Sequence, residues 1–175
     1  MVRYRFSAAK ALQAIDYMAS ANEALDLHTA LKTCYFSDKS HLNEHLQPIF
    51  GATYKAMKYG PVPLEIYEMI KGESIWLSEL GVSAMPWRLD GFRIIRQSNG
   101  AASLDQLADS EQEHFLAAFQ RSRILNFTER TAATHGPDWQ AANGGEMRYE
   151  DMIDAGPDVD AKIEFIRDTA RHIRL

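Results

Sequence analysis

The sequence is short of cysteine. Cys34 stands alone, so no disulfide can form within the chain. That suits a reducing compartment, and a cytoplasmic location is expected. Cys34 also lacks a C-x-x-C partner. Its neighbours Leu31, Tyr35 and Phe36 mark it as a small core residue and not a nucleophile. Long apolar runs are absent too, and no stretch approaches the roughly 18 residues of a membrane span. The opening MVRYRFSAAKALQAIDYMAS carries Arg3 and Arg5, then Lys10 and Asp16, and is too polar for a signal-peptide core. Basic residues are not in excess: 19 Lys and Arg face 24 Asp and Glu, a net charge of −5. No global positive field would draw in nucleic acid. Only a local patch of Lys55, Lys58, Tyr59, Arg93 and Arg96 could serve that role. Also missing are G-x-G-x-x-G, a Walker loop, G-x-S-x-G and zinc-finger spacing. Internal repeats and low-complexity segments are lacking as well.

What is present is the composition of a globular protein, 46% hydrophobic and 25% charged over 175 residues. This length predicts a single domain spanning 1–175, able to bury about 70% of its unfolded-chain surface. Ser7 is a candidate N-cap, followed by Ala8, Ala11, Leu12, Ile15, Met18 and Ala19 at helical spacing. A second helix is predicted from near Asp26, with Leu27, Ala30, Leu31, Cys34 and Tyr35 as its apolar positions. Residues 46–59 read as a loop with a short extended piece. In YGPVPLEIYEMIKG, Pro61 and Pro63 hold Gly60 and Val62 away from helical angles. Pro63 opens a helix that Gly72 stops.

The middle changes character. Asp90-Gly91 and Asn99-Gly100 are hairpin-turn dipeptides, so residues 87–104 are predicted to form a small antiparallel meander. Ser110 with Glu113, and Asn126 with Glu129, resemble capping boxes. A last helix is predicted from about Asp158 to Ile173. It is acidic early (Asp158, Asp160, Glu164) and basic late (Arg167, Arg171, His172, Arg174), as the helix dipole favours. Val159, Ile163, Ile166, Ala170 and Ile173 form a stripe that either docks on the domain's own core or receives a partner helix. The fold class is therefore α+β, predominantly helical, with helices packed on the small sheet.

Three segments carry candidate chemistry. His41-Leu42-Asn43-Glu44-His45 fits the inverted zinc-peptidase pattern H-x-x-E-H. On a helix, His41 and His45 lie one turn apart, with Glu44 as general base and Glu113 or His114 as a conceivable third ligand. Three ordinary residues define that pattern, and the preferred reading is a solvated helix face. KYGPVP, Lys58–Pro63, is stiffened by its prolines and loses little entropy on binding. It either presents Lys58 and Tyr59 to a partner or merely turns the chain. In THGPDWQAA, His135 and Trp139 either line a pocket with Asp138 orienting the imidazole, or form a joint in which Trp139 plugs the core and His135 caps a helix.

The run LKTCYFSDKSHLNEHLQPIFGATYKAMKYGPVPLEIYEMIKG, Leu31–Gly72, resembles the Panacea, or SocA-like, antitoxin domain. The resemblance rests on Phe36, Asp38, His41 and Leu42, on Pro48-Ile49-Phe50-Gly51, on Met57-Lys58-Tyr59-Gly60-Pro61-Val62, and on Ile66-Tyr67. A later His–Gly/Ser-Pro–Trp block is matched by His135, Gly136-Pro137 and Trp139. It implies a mostly helical fold with a small sheet, and an antitoxin that neutralises a cognate protein toxin by direct binding. One branch of the family is thought to hand its toxin to a cytoplasmic AAA+ protease. It assigns His41 to the family pattern and leaves His45 a variable site. It implies no catalytic residue, metal or cofactor. The expected partner-binding residues are Lys58, Tyr59, Gly60, Pro61, Val62, Pro63, Tyr67, His135 and Trp139. A nucleic-acid-binding regulator and a zinc-dependent hydrolase are the competing readings.

Overall fold

The computed structural model describes residues 1–21, 25–173 and 175. Arg174, one of the late basic residues above, lies outside them. Helix α1 (Ala8–Ala21) follows Ser7, whose carbonyl accepts the first helical bond from Ala11. Strand β1 (Leu25–Asp26) leads into α2 (Leu27–His45), which Asp26 caps by accepting from the Thr29 amide at 2.8 Å. Next come strands β2 (Tyr54–Met57) and β3 (Gly60–Pro63), then helices α3 (Leu64–Lys71) and α4 (Ser74–Leu80). Gly72 ends α3 in the left-handed conformation, as its position predicts. Strands β4 (Trp87–Asp90) and β5 (Arg93–Arg96) precede helices α5 (Asp109–Ile124), α6 (Phe127–Thr134) and α7 (Pro137–Ala142). A 3₁₀ turn (Tyr149–Met152) and helix α8 (Val159–Thr169) complete the chain.

The helical α+β class is as expected, with two small antiparallel sheets in place of one. The β4–β5 hairpin turns at Gly91-Phe92, one residue along from the expected dipeptide, with Asp90 paired to Arg93. Asn99-Gly100 turns no strand, because the third strand beside β5 is β1, from near the beginning of the chain. The second sheet is the β2–β3 hairpin: β2 is the extended piece expected within 46–59, and β3 is formed by the Gly60–Pro63 segment, not expected as a strand. Asn126 and Glu129 close a reciprocal capping box at the start of α6. The Ser110–Glu113 box does not form. The cap falls two residues earlier, at Ala108, whose amide donates to the Glu111 carboxylate instead.

Helix α2 organises the rest. Thirteen of its nineteen residues are buried, so it shows no clear polar face. Helix α5 packs along it, and β3 and α6 close on its N-terminal half. Burial on all sides normally selects an apolar helix. Here it includes Lys32, Asp38 and His41, which must find partners or cost several kcal/mol each. Helix α8 stops at Thr169, short of the Ile173 expected, but the stripe still docks on the molecule's own core: Ile166 and the capping Ala170 are buried, and Val159, Ile163 and Ile173 pack against it.

Candidate functional site

Lys32, Asp38 and His41, all buried on α2, each hold the backbone of a neighbouring segment. One oxygen of Asp38 accepts from the amides of Ile49 and Phe50, at 2.8 and 2.9 Å, and the other accepts from the Tyr54 hydroxyl at 3.0 Å. Burial pushes the Asp38 carboxyl up to about 7, against the opposing pull of these three donors. His41 lies 2.7 Å from the Gln47 carbonyl through Nδ1. A carbonyl can only accept, so Nδ1 carries the proton and Nε2 accepts from Ser110 at 3.2 Å. Both ring nitrogens of His41 are thus engaged in a fully buried setting. The H-x-x-E-H reading fails at its first histidine.

Lys32 is 1% exposed and donates to the Pro61 carbonyl at 2.7 Å. Burial, with the Arg130 charge nearby, pushes its ammonium down to about 7. Arg130 is itself buried and spans three segments. It donates to the Ser122 and Leu125 carbonyls at 2.8 and 2.6 Å and to His28 Nδ1 at 3.1 Å. Arginine cannot accept, so His28 Nδ1 is the acceptor and Nε2–H points at the Tyr59 carbonyl, 3.2 Å away. Burial and the Lys32 charge lower His28 to about 4, consistent with that neutral ring.

These ties converge on the β2–β3 hairpin. Lys58 and Tyr59 form its two-residue turn, and Gly60 supplies the left-handed backbone at φ 94°. A Cβ on Gly60 would stand 2.3 Å from Thr134 Oγ1 and 3.0 Å from Lys32 Cε. Gly60→Ala is therefore expected to cost about 2–4 kcal/mol, from backbone strain plus overpacking; urea unfolding measures it. Trp139 Nε1 donates to the Met57 carbonyl at 3.0 Å, and the His135 ring stacks on Trp139 at 3.8 Å. Strand β2 is also bonded along its other edge, through Ala56 N–H to Gly145 O and Met147 N–H to Tyr54 O.

The nine expected contact residues separate by exposure. Lys58 and Tyr59 are exposed; Gly60, Pro61 and Pro63 are buried; Val62, Tyr67, His135 and Trp139 are half-buried. The buried three shape the turn from beneath. Tyr67 lies on α3, with the Lys71 ammonium 5.0 Å above its ring. His135 caps α6 and stacks on Trp139, as in one of the two alternatives, but Trp139 is half-buried against the core and does not plug it. Asp138 does not orient the imidazole. It is buried facing α2, where it accepts from the Tyr35 hydroxyl and pairs with Lys39 at 3.2 Å.

Phe127 was not anticipated. It is 45% exposed at the start of α6, edge-on to Tyr59 at 5.2 Å and over the His28 ring at 4.2 Å. Tyr59 is 50% exposed, and Met57, 45% exposed, precedes the turn at the end of β2. The Asn126 cap fixes where α6 begins, but nothing local in the sequence says that Phe127 meets Tyr59. Elsewhere, a cleft of about 610 Å³ lies between Lys39 and Arg121 on one side of the charge balance and Glu44 and Asp154 on the other. Among the described residues no helix is long and apolar enough to cross a membrane.

A family model described as antitoxin SocA-like, Panacea domain, matches residues 31–140. No curated protein and no solved structure matches the chain.

Proposed function

Because the chain belongs to the SocA-like Panacea antitoxin family, we propose that it is an antitoxin that neutralises a protein toxin by binding it, without turnover. The contact surface we assign is the tip of the β2–β3 hairpin with the start of α6. The observation that carries this is the exposed Tyr59–Phe127 pair, on a turn held by the buried Lys32 and by ties from His28 and Trp139. Rigid aromatic anchors dominate protein–protein interfaces, and a preformed loop has little entropy left to lose. A stable complex needs about 800 Å² on each partner. Tyr59 and Phe127 would form the centre of such a patch, with Met57 and Lys58 beside them on the hairpin. Handing the bound toxin to a cytoplasmic AAA+ protease is the finer form of this proposal.

The test is co-expression with the polypeptide encoded beside this chain. Growth arrest by that polypeptide, relieved by this one, is the expected result. Tyr59→Ala and Phe127→Ala should each weaken the complex at least tenfold by titration calorimetry, with circular dichroism unchanged. A harmless neighbour that never co-purifies overturns the antitoxin reading. Rescue that persists with full affinity in both variants moves the interface elsewhere. A toxin lifetime that shortens on co-expression, and only while the protease is present, supports the delivery step.

A further inference from the structure

The far end of α2 carries a second cluster, roughly 25 Å along the helix from His28. The rings of His41, His45 and His114 meet there, with centroids 4.4 to 5.4 Å apart. His41 is spent on Gln47 and Ser110, but His45 and His114 are not. His114 Nε2 stands 3.4 Å from one Glu44 oxygen, and His45 Nε2 stands 3.9 Å from the other. One ligand atom from each of the three residues lies within 4.8 Å of the others.

We propose that Glu44, His45 and His114 form a Zn²⁺ site that fastens the C-terminal end of α2 to α5, with a fourth position open to water. Ligand atoms around a tetrahedral zinc with bonds of about 2.0–2.1 Å stand roughly 3.4 Å apart. The Glu44–His114 pair already has that spacing; His45 Nε2 stands 3.9 Å from the other Glu44 oxygen, and side-chain rotation of the exposed Glu44 and His45 would close the trio onto one ion. Two imidazoles and a carboxylate are donors that zinc accepts. A metal-bound histidine usually gives its other ring N–H to an oxygen acceptor, which fixes the ring. Ser40 Oγ occupies that position against His114 Nδ1. The site also lies at the negative end of a nineteen-residue helix, where a cation is favoured. The two histidines are 69 residues apart in the chain, and of the two conceivable third ligands, Glu113 and His114, the fold brings His114 beside the other two. The H-x-x-E-H match contributes Glu44 and His45 without its first histidine.

The experiment uses the full chain, untagged and stripped with chelator, titrated with ZnCl₂. One equivalent should bind, and the melting temperature should rise by several degrees. Glu44 and His45 are exposed, so Glu44→Gln and His45→Ala are expected to fold normally while binding zinc at least tenfold more weakly and losing the thermal shift. Co²⁺ should give the intense visible absorption of a four-coordinate ion in the parent protein only. Absence of saturable binding at one equivalent overturns the proposal. So does binding that survives in both variants, or zinc that binds without raising the melting temperature. None of these results bears on toxin binding at the hairpin.

Discussion

Asp38→Ala is expected to lower the unfolding free energy by about 4 kcal/mol. The substitution strands the Ile49 and Phe50 amides in a place with no solvent to replace the carboxylate, and leaves the Tyr54 hydroxyl only the Cys34 carbonyl as acceptor. Each orphaned buried donor costs about 1–3 kcal/mol, and they share one partner, so the losses do not simply add. Asp38→Asn keeps one oxygen for the two amides, and the Tyr54 hydroxyl can turn to accept from the new amide group. It should lose about half as much near neutral pH. The comparison also has a pH signature. The folded-state carboxyl sits near 7, well above its ordinary value of 3.8. For such a group the stability contribution is complete below about pH 4 and is lost as pH rises through 7. Asparagine mimics the protonated acid at every pH, so the deficit of Asp38→Asn should shrink from pH 5 to pH 8. Urea unfolding of both proteins at several pH values measures this, and a constant deficit would show that Asp38 keeps an ordinary pKa.

Lys32 should give the opposite slope. Its folded-state ammonium titrates near 7 and its unfolded-state one near 10.5. Between those values the unfolded chain binds a proton that the native one has released, so stability rises with pH and falls as pH drops through 7. Measured against Lys32→Met, which keeps the stem and cannot titrate, the parent protein should gain stability from pH 7 to pH 10. The slope should approach about 1.4 kcal/mol per pH unit, with a total on the order of 4 kcal/mol. A flat difference would mean that Lys32 stays charged in the native state. The Met variant also leaves the Pro61 carbonyl without its donor. The hairpin should then exchange its amide hydrogens faster than the β4–β5 hairpin, which Lys32 does not touch.

Local signals were legible where the deciding interaction spans a few residues. Asp26 capping α2, the Asn126–Glu129 box, Gly72 and Asp90-Gly91 all act within a turn or so of their own position. The signals that misled were equally local and lost to distant partners. Asn99-Gly100 is a good hairpin turn, but the free edge of β5 is taken by Leu25 and Asp26. Ser110 is a good cap, but its hydroxyl faces His41 on α2. The central helix was found without its role being visible, because its polar residues look ordinary until they are seen to be buried. The family motif pointed to Asp38, His41 and Gly60, and the structure gives their work as internal support. At the candidate interface Tyr59 was readable from its rigid loop. Phe127 was not, since it reaches Tyr59 across 68 positions of chain.

Strand β2 is bonded along both edges, to β3 on one side and to Gly145 and Met147 on the other. Strand β3 carries prolines at 61 and 63, which have no N–H to offer, and the Pro61 carbonyl is already taken by Lys32. A partner therefore has little main chain to pair with here, and recognition by strand addition is disfavoured. What remains for discrimination is the set of side chains standing on the turn. A new specificity could arise by exchanging Lys58, Tyr59 or Phe127 alone, leaving the supporting framework untouched.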